Sequence, residues 1–199
     1  MNADMSDVEL PAVANAISDR YVVGVHLGES HDPAAIGVVH RVDYARSPPL
    51  FQVGHLERLP LGMPYPGVVN RVTHLLERSL LQDNEVELVV GSTGQRVFDM
   101  FRVRGVSTRR VTVVGGGRIT FDGPVWQVPK PPLVSRVQDL FNDGGLTIHE
   151  GLAEAPALIA ELRDFDPELT DSGDEGFTVR SGKHDALVLA VAIALWRAE

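Results

Sequence analysis

YVVGVHLGESHDPAAIGVV (residues 21–39) reads as a strand, a tight polar turn and a second strand. Tyr21 to His26 is rich in valine, a residue that favours extended backbone, and its one polar side chain is the imidazole near its end. The polar LGESHDP segment turns the chain into a second strand, Ala34 to Arg41. After the loop YARSPP, LFQVGHLERL continues as a third strand, with Phe51, Val53 and His55 expected on one face and Gln52 and Gly54 on the other. Three strands joined by short loops predict an antiparallel meander. An imidazole at the end of an otherwise apolar strand, His26, asks for a chemical reason.

Downstream the period changes. Val68, Val69, Val72, Leu75, Leu76 and Leu80 follow one helical face. VELVVG (86–91) is a short buried strand, and Ser92-Thr93-Gly94 caps a helix that buries Val97, Phe98 and Phe101 and leaves Asp99 outside. RRVTVVGGG is a strand closed by Gly115-Gly116-Gly117, and RITFDGPVWQVP a hairpin about Asp122-Gly123. PPLVSRVQDLFNDGG begins with prolines and ends with glycines, as helices do. LTIHEG is a short strand. Ala155, Leu158, Ile159, Leu162 and Phe165 mark a further helix, and DPELTDSGDEG a solvated acidic loop. FTVRSGKHD leads from a short strand into a terminal apolar helix. The order predicts an α/β domain over residues 21–199, with residues 1–20 as a tail.

The composition excludes several classes. The 199 residues are 44% hydrophobic and 23% charged, with no cysteine, so there is no disulfide framework and no thiolate metal site. The acidic N-terminus lacks the basic and apolar regions of a signal peptide. The longest apolar run, Leu187 to Trp196, falls short of the ~20 residues that span a bilayer. A cytoplasmic protein with no membrane partner is expected. The net charge of −9 argues against a generic nucleic-acid binder. Residues 102–138, however, carry seven basic residues against Asp122 alone, a net +6 that leaves −15 for the rest. Arg102, Arg104, Arg109, Arg110, Arg118 and Lys130 are therefore candidates for contact with a polyanion.

Polar residues meet strand ends or a helix N-terminus at His26–Asp32, at Gly91-Ser92-Thr93-Gly94 and at Lys183-His184-Asp185. Such ends are where α/β sheets bind ligands. In this order the segments resemble the nuclease domain of phage large terminase subunits. That family's Gly-Val-Asp-Leu-Gly-Gln-Ser run and following Asp-Pro stand here as Gly24-Val25-His26-Leu27-Gly28-Glu29-Ser30 and Asp32-Pro33. Its Val-Val-Asp-Ala-Thr-Gly reads Val89-Val90-Gly91-Ser92-Thr93-Gly94, and its His-Asp-Asp-Leu-Val-Leu-Ala reads His184-Asp185-Ala186-Leu187-Val188-Leu189-Ala190. Val128-Pro129-Lys130 and Leu133-Val134-Ser135 recur before a helix.

The resemblance implies an RNase H-like fold with a central mixed five-stranded sheet flanked by helices. Strands one to three would be antiparallel, and strands four and five parallel to the first. It also implies a metal-dependent endonuclease holding two Mg²⁺ or Mn²⁺ between carboxylates. Those positions are here His26, Gly91 and Asp185, of which only Asp185 is acidic. Mg²⁺ wants anionic oxygen ligands, so the implied function is a degenerate, inactive nuclease domain. It would act as a DNA-binding or structural module in DNA packaging, beside packaging proteins or a separate ATPase. No resident cofactor is expected on that reading. The alternative is an active endonuclease with a rebuilt site; His26, His184 and Asp185 would suit Zn²⁺. Without metal, His26 is a half-buried imidazole bonded to a neighbour such as Asp185, and Asp32 a turn former. A third class keeps the fold as a scaffold with no nucleic-acid role. The triple glycine lacks the lysine of a phosphate-binding loop, so no ATPase motor is expected within this chain.

Overall fold

The valine-rich run is the middle of the sheet. In the computed structural model, which describes residues 16–28, 32–82, 86–91, 95–169, 175–179 and 185–199, strand β1 spans Ala16–His26. It thus begins inside the segment expected to be a tail. β1 pairs antiparallel with β2 (Ala35–Tyr44) and parallel with β4 (Val86–Gly91). β3 (Leu50–Arg58) continues the meander beyond β2, and β5 (Arg109–Val114) runs parallel to β4. The expected five strands form the centre of an eight-stranded sheet. β8 (Leu146–Ile148) is added outside β3, while β7 (Val125–Pro129) and then β6 (Thr120–Asp122) extend the other side. They are the strands expected as the hairpin about Asp122-Gly123 and as LTIHEG; at three to five residues each, they carry no period that would assign them to the main sheet. The short strand expected at FTV is part of β10 (Glu175–Val179), which pairs in a separate two-stranded sheet with β9 (Phe165–Leu169), whose residues from Asp166 were expected as acidic loop.

Helices cover both faces, so Tyr21–Val25 of β1 is buried on both and reads as a continuous apolar run. On one face α1 (Tyr65–Leu76) and α3 (Gln95–Val103) pack on Val23, Val25, Ile36 and Val90; a single helical turn, α2 (Ser79–Gln82), follows α1. On the other, α6 (Ala186–Ala198) lies against Val22, Val39, Val53 and Val89. α4 (Lys130–Asn142) and α5 (Ala155–Asp164) complete the cluster around it. Every residue of α6 from Ala186 to Leu195 is buried, which explains a helix apolar on all sides. Among the described residues no helix is long and apolar enough to cross a membrane.

α6 approaches the sheet closely at one place. A Cβ on Gly24 would lie 2.1 Å from the Ala190 carbonyl oxygen and 2.9 Å from the Ala194 Cβ. At the far end two guanidinium groups hold the last carbonyls of α6. Arg20 Nη2 donates to Ala198 O (2.6 Å), and Arg41 Nη1 to Ala198 O (2.5 Å) and Glu199 O (2.8 Å). Cations there complement the helix dipole.

β3 departs from simple alternation. Val38 pairs with His55 and Val39 with Val53, so Gly54 is an extra residue. Such a bulge flips the residues after it to the opposite face. His55, expected beside Phe51 and Val53, instead pairs with Val38 of the α1/α3 cluster. There its Nε2 is 3.4 Å from Glu57, which also binds Arg71 of α1 at 2.8 Å.

Candidate functional site

The C-terminal end of β1 is built by register. His26 pairs with Ala35 of β2 and with Gly91 of β4, so two positions that sequence reasoning singled out are direct neighbours. Val22 and Gly24 of β1 face α6, and strand alternation sends His26 to the same side. His26 Nε2 lies 3.2 Å from Asp32 Oδ2. The imidazole thus has a carboxylate partner, but it is Asp32 rather than Asp185. Asp32 does more than turn the chain: it holds the ring.

Gly91 contributes no side chain. A Cβ there would come within 3.2 Å of Ile193 Cδ1, so an apolar group of α6 occupies the space a longer side chain would enter. Ser92, Thr93, Gly94, Glu29 and His184 lie outside the described residues, so the proposed set His26, His184 and Asp185 is only partly within them.

Asp185 is the N-cap residue of α6 and makes no side-chain cap hydrogen bond. Its Oδ2 instead accepts from Lys130 Nζ, at the first residue of α4. Lys130 Nζ also lies 5.4 Å from the centroid of the Phe165 ring. The α6 N-terminus is satisfied by a residue that sequence reasoning missed. Glu161 of α5, its side chain 7% exposed, accepts the Val188 N–H at Oε2 (3.0 Å) and Arg58 Nη2 at Oε1 (2.5 Å). A carboxylate there meets the positive end of the helix dipole. Burial nevertheless pushes its pKa up to about 7, with Asp185 adding to the rise and the Val188 N–H and Arg58 opposing it. The signal was present: Glu161 stands three residues after Leu158 and four before Phe165, on the stripe facing the core.

The basic candidates do not form one surface. Arg109 binds Glu87 (2.5 Å), a carboxylate shared with Arg197 of α6 (2.8 Å). Its neighbour Arg110 points to the opposite face, 4.4 Å over the Phe98 ring and bonded to Gln95 (2.6 Å). Arg102, 79% exposed, pairs with Asp99 (3.1 Å), and Arg104 reaches Asn70 of α1 (2.5 Å). Arg118 is exposed in the β5–β6 loop.

Among the described residues the donors do not fit a pair of hard divalent cations. Among the described residues no three His, Asp or Glu side chains are grouped to hold a metal. Lys130 sits on Asp185, Glu161 is engaged by an amide and a guanidinium, and His26 is held by Asp32.

The mixed sheet in the order β3-β2-β1-β4-β5, with α6 across it, is an RNase H-like α/β fold. Solved structures similar to this chain include nuclease domains of large terminases. That of the thermophilic phage G20c is 18% identical, covers 92% of this chain and 84% of its own, and superposes with a TM-score of 0.61. The g2p nuclease domain of bacteriophage SPP1, solved with bound Mn, is 14% identical over 94% of this chain and 90% of its own (TM-score 0.53). The human cytomegalovirus terminase nuclease domain, soaked with Mn, is 15% identical over 89% and 83% (TM-score 0.52). The G20c domain has also been solved with bound magnesium and with bound cobalt. No protein-family model matches the sequence, and no curated protein matches it.

Proposed function

We propose that this chain is a terminase-nuclease-like module that does not cut DNA and serves phage or prophage DNA packaging in the host cytoplasm as a DNA-binding or structural part. The observation that carries the reading is the ion pair between Lys130 and Asp185. An ammonium group on the one acidic residue among positions 26, 91 and 185 repels a divalent cation and competes for the same oxygen. Phosphodiester displacement by two metals needs a cation at both the attacking and the leaving oxygen. Position 91 has no ligand to give, and Ile193 fills the space beside it.

The direct test is incubation of supercoiled plasmid with the protein and Mg²⁺ or Mn²⁺. The expected result is unchanged plasmid. Nicking or linearisation that disappears in Asp185→Ala would overturn the reading.

The DNA-binding half has its own measurement. Binding to phosphates releases counterions, so affinity should be detectable at low salt and fall steadily as salt rises. Charge reversal at Arg109 and Arg110 should weaken it further. No binding at low salt would leave only the structural role.

A further inference from the structure

The edge of the sheet beyond β7 is β6, and among the described residues no strand pairs outside it. Proteins ordinarily blunt such edges with charge, proline or a covering element. Here Ile119 is 49% exposed and Phe121 59% exposed. The Phe121 ring lies 4.6 Å from Trp126 on β7, which in turn meets Trp196 of α6 at 5.7 Å. An apolar ribbon therefore runs from the core out to the strand edge.

The sequence of that edge is complementary to itself. Laid antiparallel against a second copy with the two-fold axis at Thr120, and with loop residues 118–119 extending β6 as strand, Arg118 faces Asp122 of the second copy, and Asp122 faces its Arg118. On the other face of the pleat Ile119 meets Phe121, and Phe121 meets Ile119. Opposite charges, an aromatic against a β-branched residue, and threonine against threonine are the cross-strand pairs that stabilise antiparallel sheets. Within the chain neither Arg118 nor Asp122 has an ion-pair partner among the described residues.

We propose that β6 is a self-association edge: residues 118–122 pair antiparallel with the same residues of a second copy of this chain, joining two sheets into one. Five residues make an interface well below the ~1,600 Å² of a standard complex, so the dimer is a weak one.

Sedimentation velocity without DNA, from about 10 to about 500 µM, reads it directly. The wild-type protein should shift from monomer toward dimer over that range. Arg118→Asp and Asp122→Arg should each weaken association by about tenfold or more, because each places like charges opposite one another twice. The decisive arm is the mixture. Arg118→Asp and Asp122→Arg, each monomeric alone, should associate with one another about as well as wild type, and the double variant carrying both should recover self-association. Both positions are on the surface, and circular dichroism checks that the fold is kept. A wild-type protein that stays monomeric throughout, association indifferent to either reversal, or a mixture that fails to associate would each overturn the proposal.

Discussion

Alanine at position 24 should destabilise the domain by about 4 kcal/mol or more. The added Cβ would meet the Ala190 carbonyl oxygen at 2.1 Å, the Ala194 Cβ at 2.9 Å and the Ala194 amide nitrogen at 3.1 Å. Two of these three are backbone atoms of a helix buried along its length, so no side chain can swing aside. The helix itself must rise from the sheet, loosening its contacts with Val22, Val39 and Val89 together. In a chain of this size the loss corresponds to a fall in Tm of about 10 °C. Urea denaturation of Gly24→Ala beside wild type measures it; a difference below about 1 kcal/mol would contradict the close approach of α6 to β1.

The second large effect belongs to Glu161. Removing its carboxylate in Glu161→Ala leaves the Val188 amide without its acceptor and Arg58 without its partner. The expected cost is about 3 kcal/mol near neutral pH. Its pH dependence is more diagnostic. The folded-state pKa, about 7, lies above the ordinary 4.5 because burial disfavours the charge. Between these values the folded protein binds more protons than the unfolded chain. This group's contribution to stability is therefore full below pH 4.5, declines as pH rises toward 7 and is level above. Glu57 acts in the opposite sense. Burial alone would raise its pKa, but the His55 imidazole beside it and the hydrogen-bonded Arg71 guanidinium outweigh that and bring it to about 2. Its contribution is present above pH 4.5 and lost as pH falls toward 2. Together the two groups favour a stability maximum near the lower bound of the Glu161 window. Glu161→Gln keeps an acceptor for Val188 and removes the titration. Its denaturation midpoint should track wild type near pH 5 and lose the decline between about pH 5 and 7. Parallel profiles for the two proteins would contradict a raised pKa at 161.

The meander, the helical faces and the placing of His26 at a strand end were legible in sequence, because each rests on a local period or a short motif; its place beside position 91 followed only from the resemblance. The rest depended on tertiary neighbours. Nothing in one dimension links residue 130 to residue 185, so the ion pair between the Lys130 ammonium and Asp185 was not legible. The partner of His26 was sought at the distant Asp185, while the turn itself brought Asp32 to the ring. Gly54 read as one more strand position, yet as a bulge it moved His55 to the other side of the sheet. The arginine run read as one charged segment, but adjacent strand residues point apart, so Arg109 and Arg110 serve different faces. Glu161 reads in sequence as an ordinary helical glutamate, a residue usually solvated.

The enclosure of α6 also sets an order of events. All eight strands of the main sheet precede this helix in the chain, yet it is the helix that shields their α6-side valines. During synthesis those strands leave the ribosome before α6, and their apolar surface is covered only in part, by α4 and α5, until residues 186–198 emerge. Closure by the last helix is thus a late event between distant parts of the chain, and chaperone demand should be greatest in the interval before it.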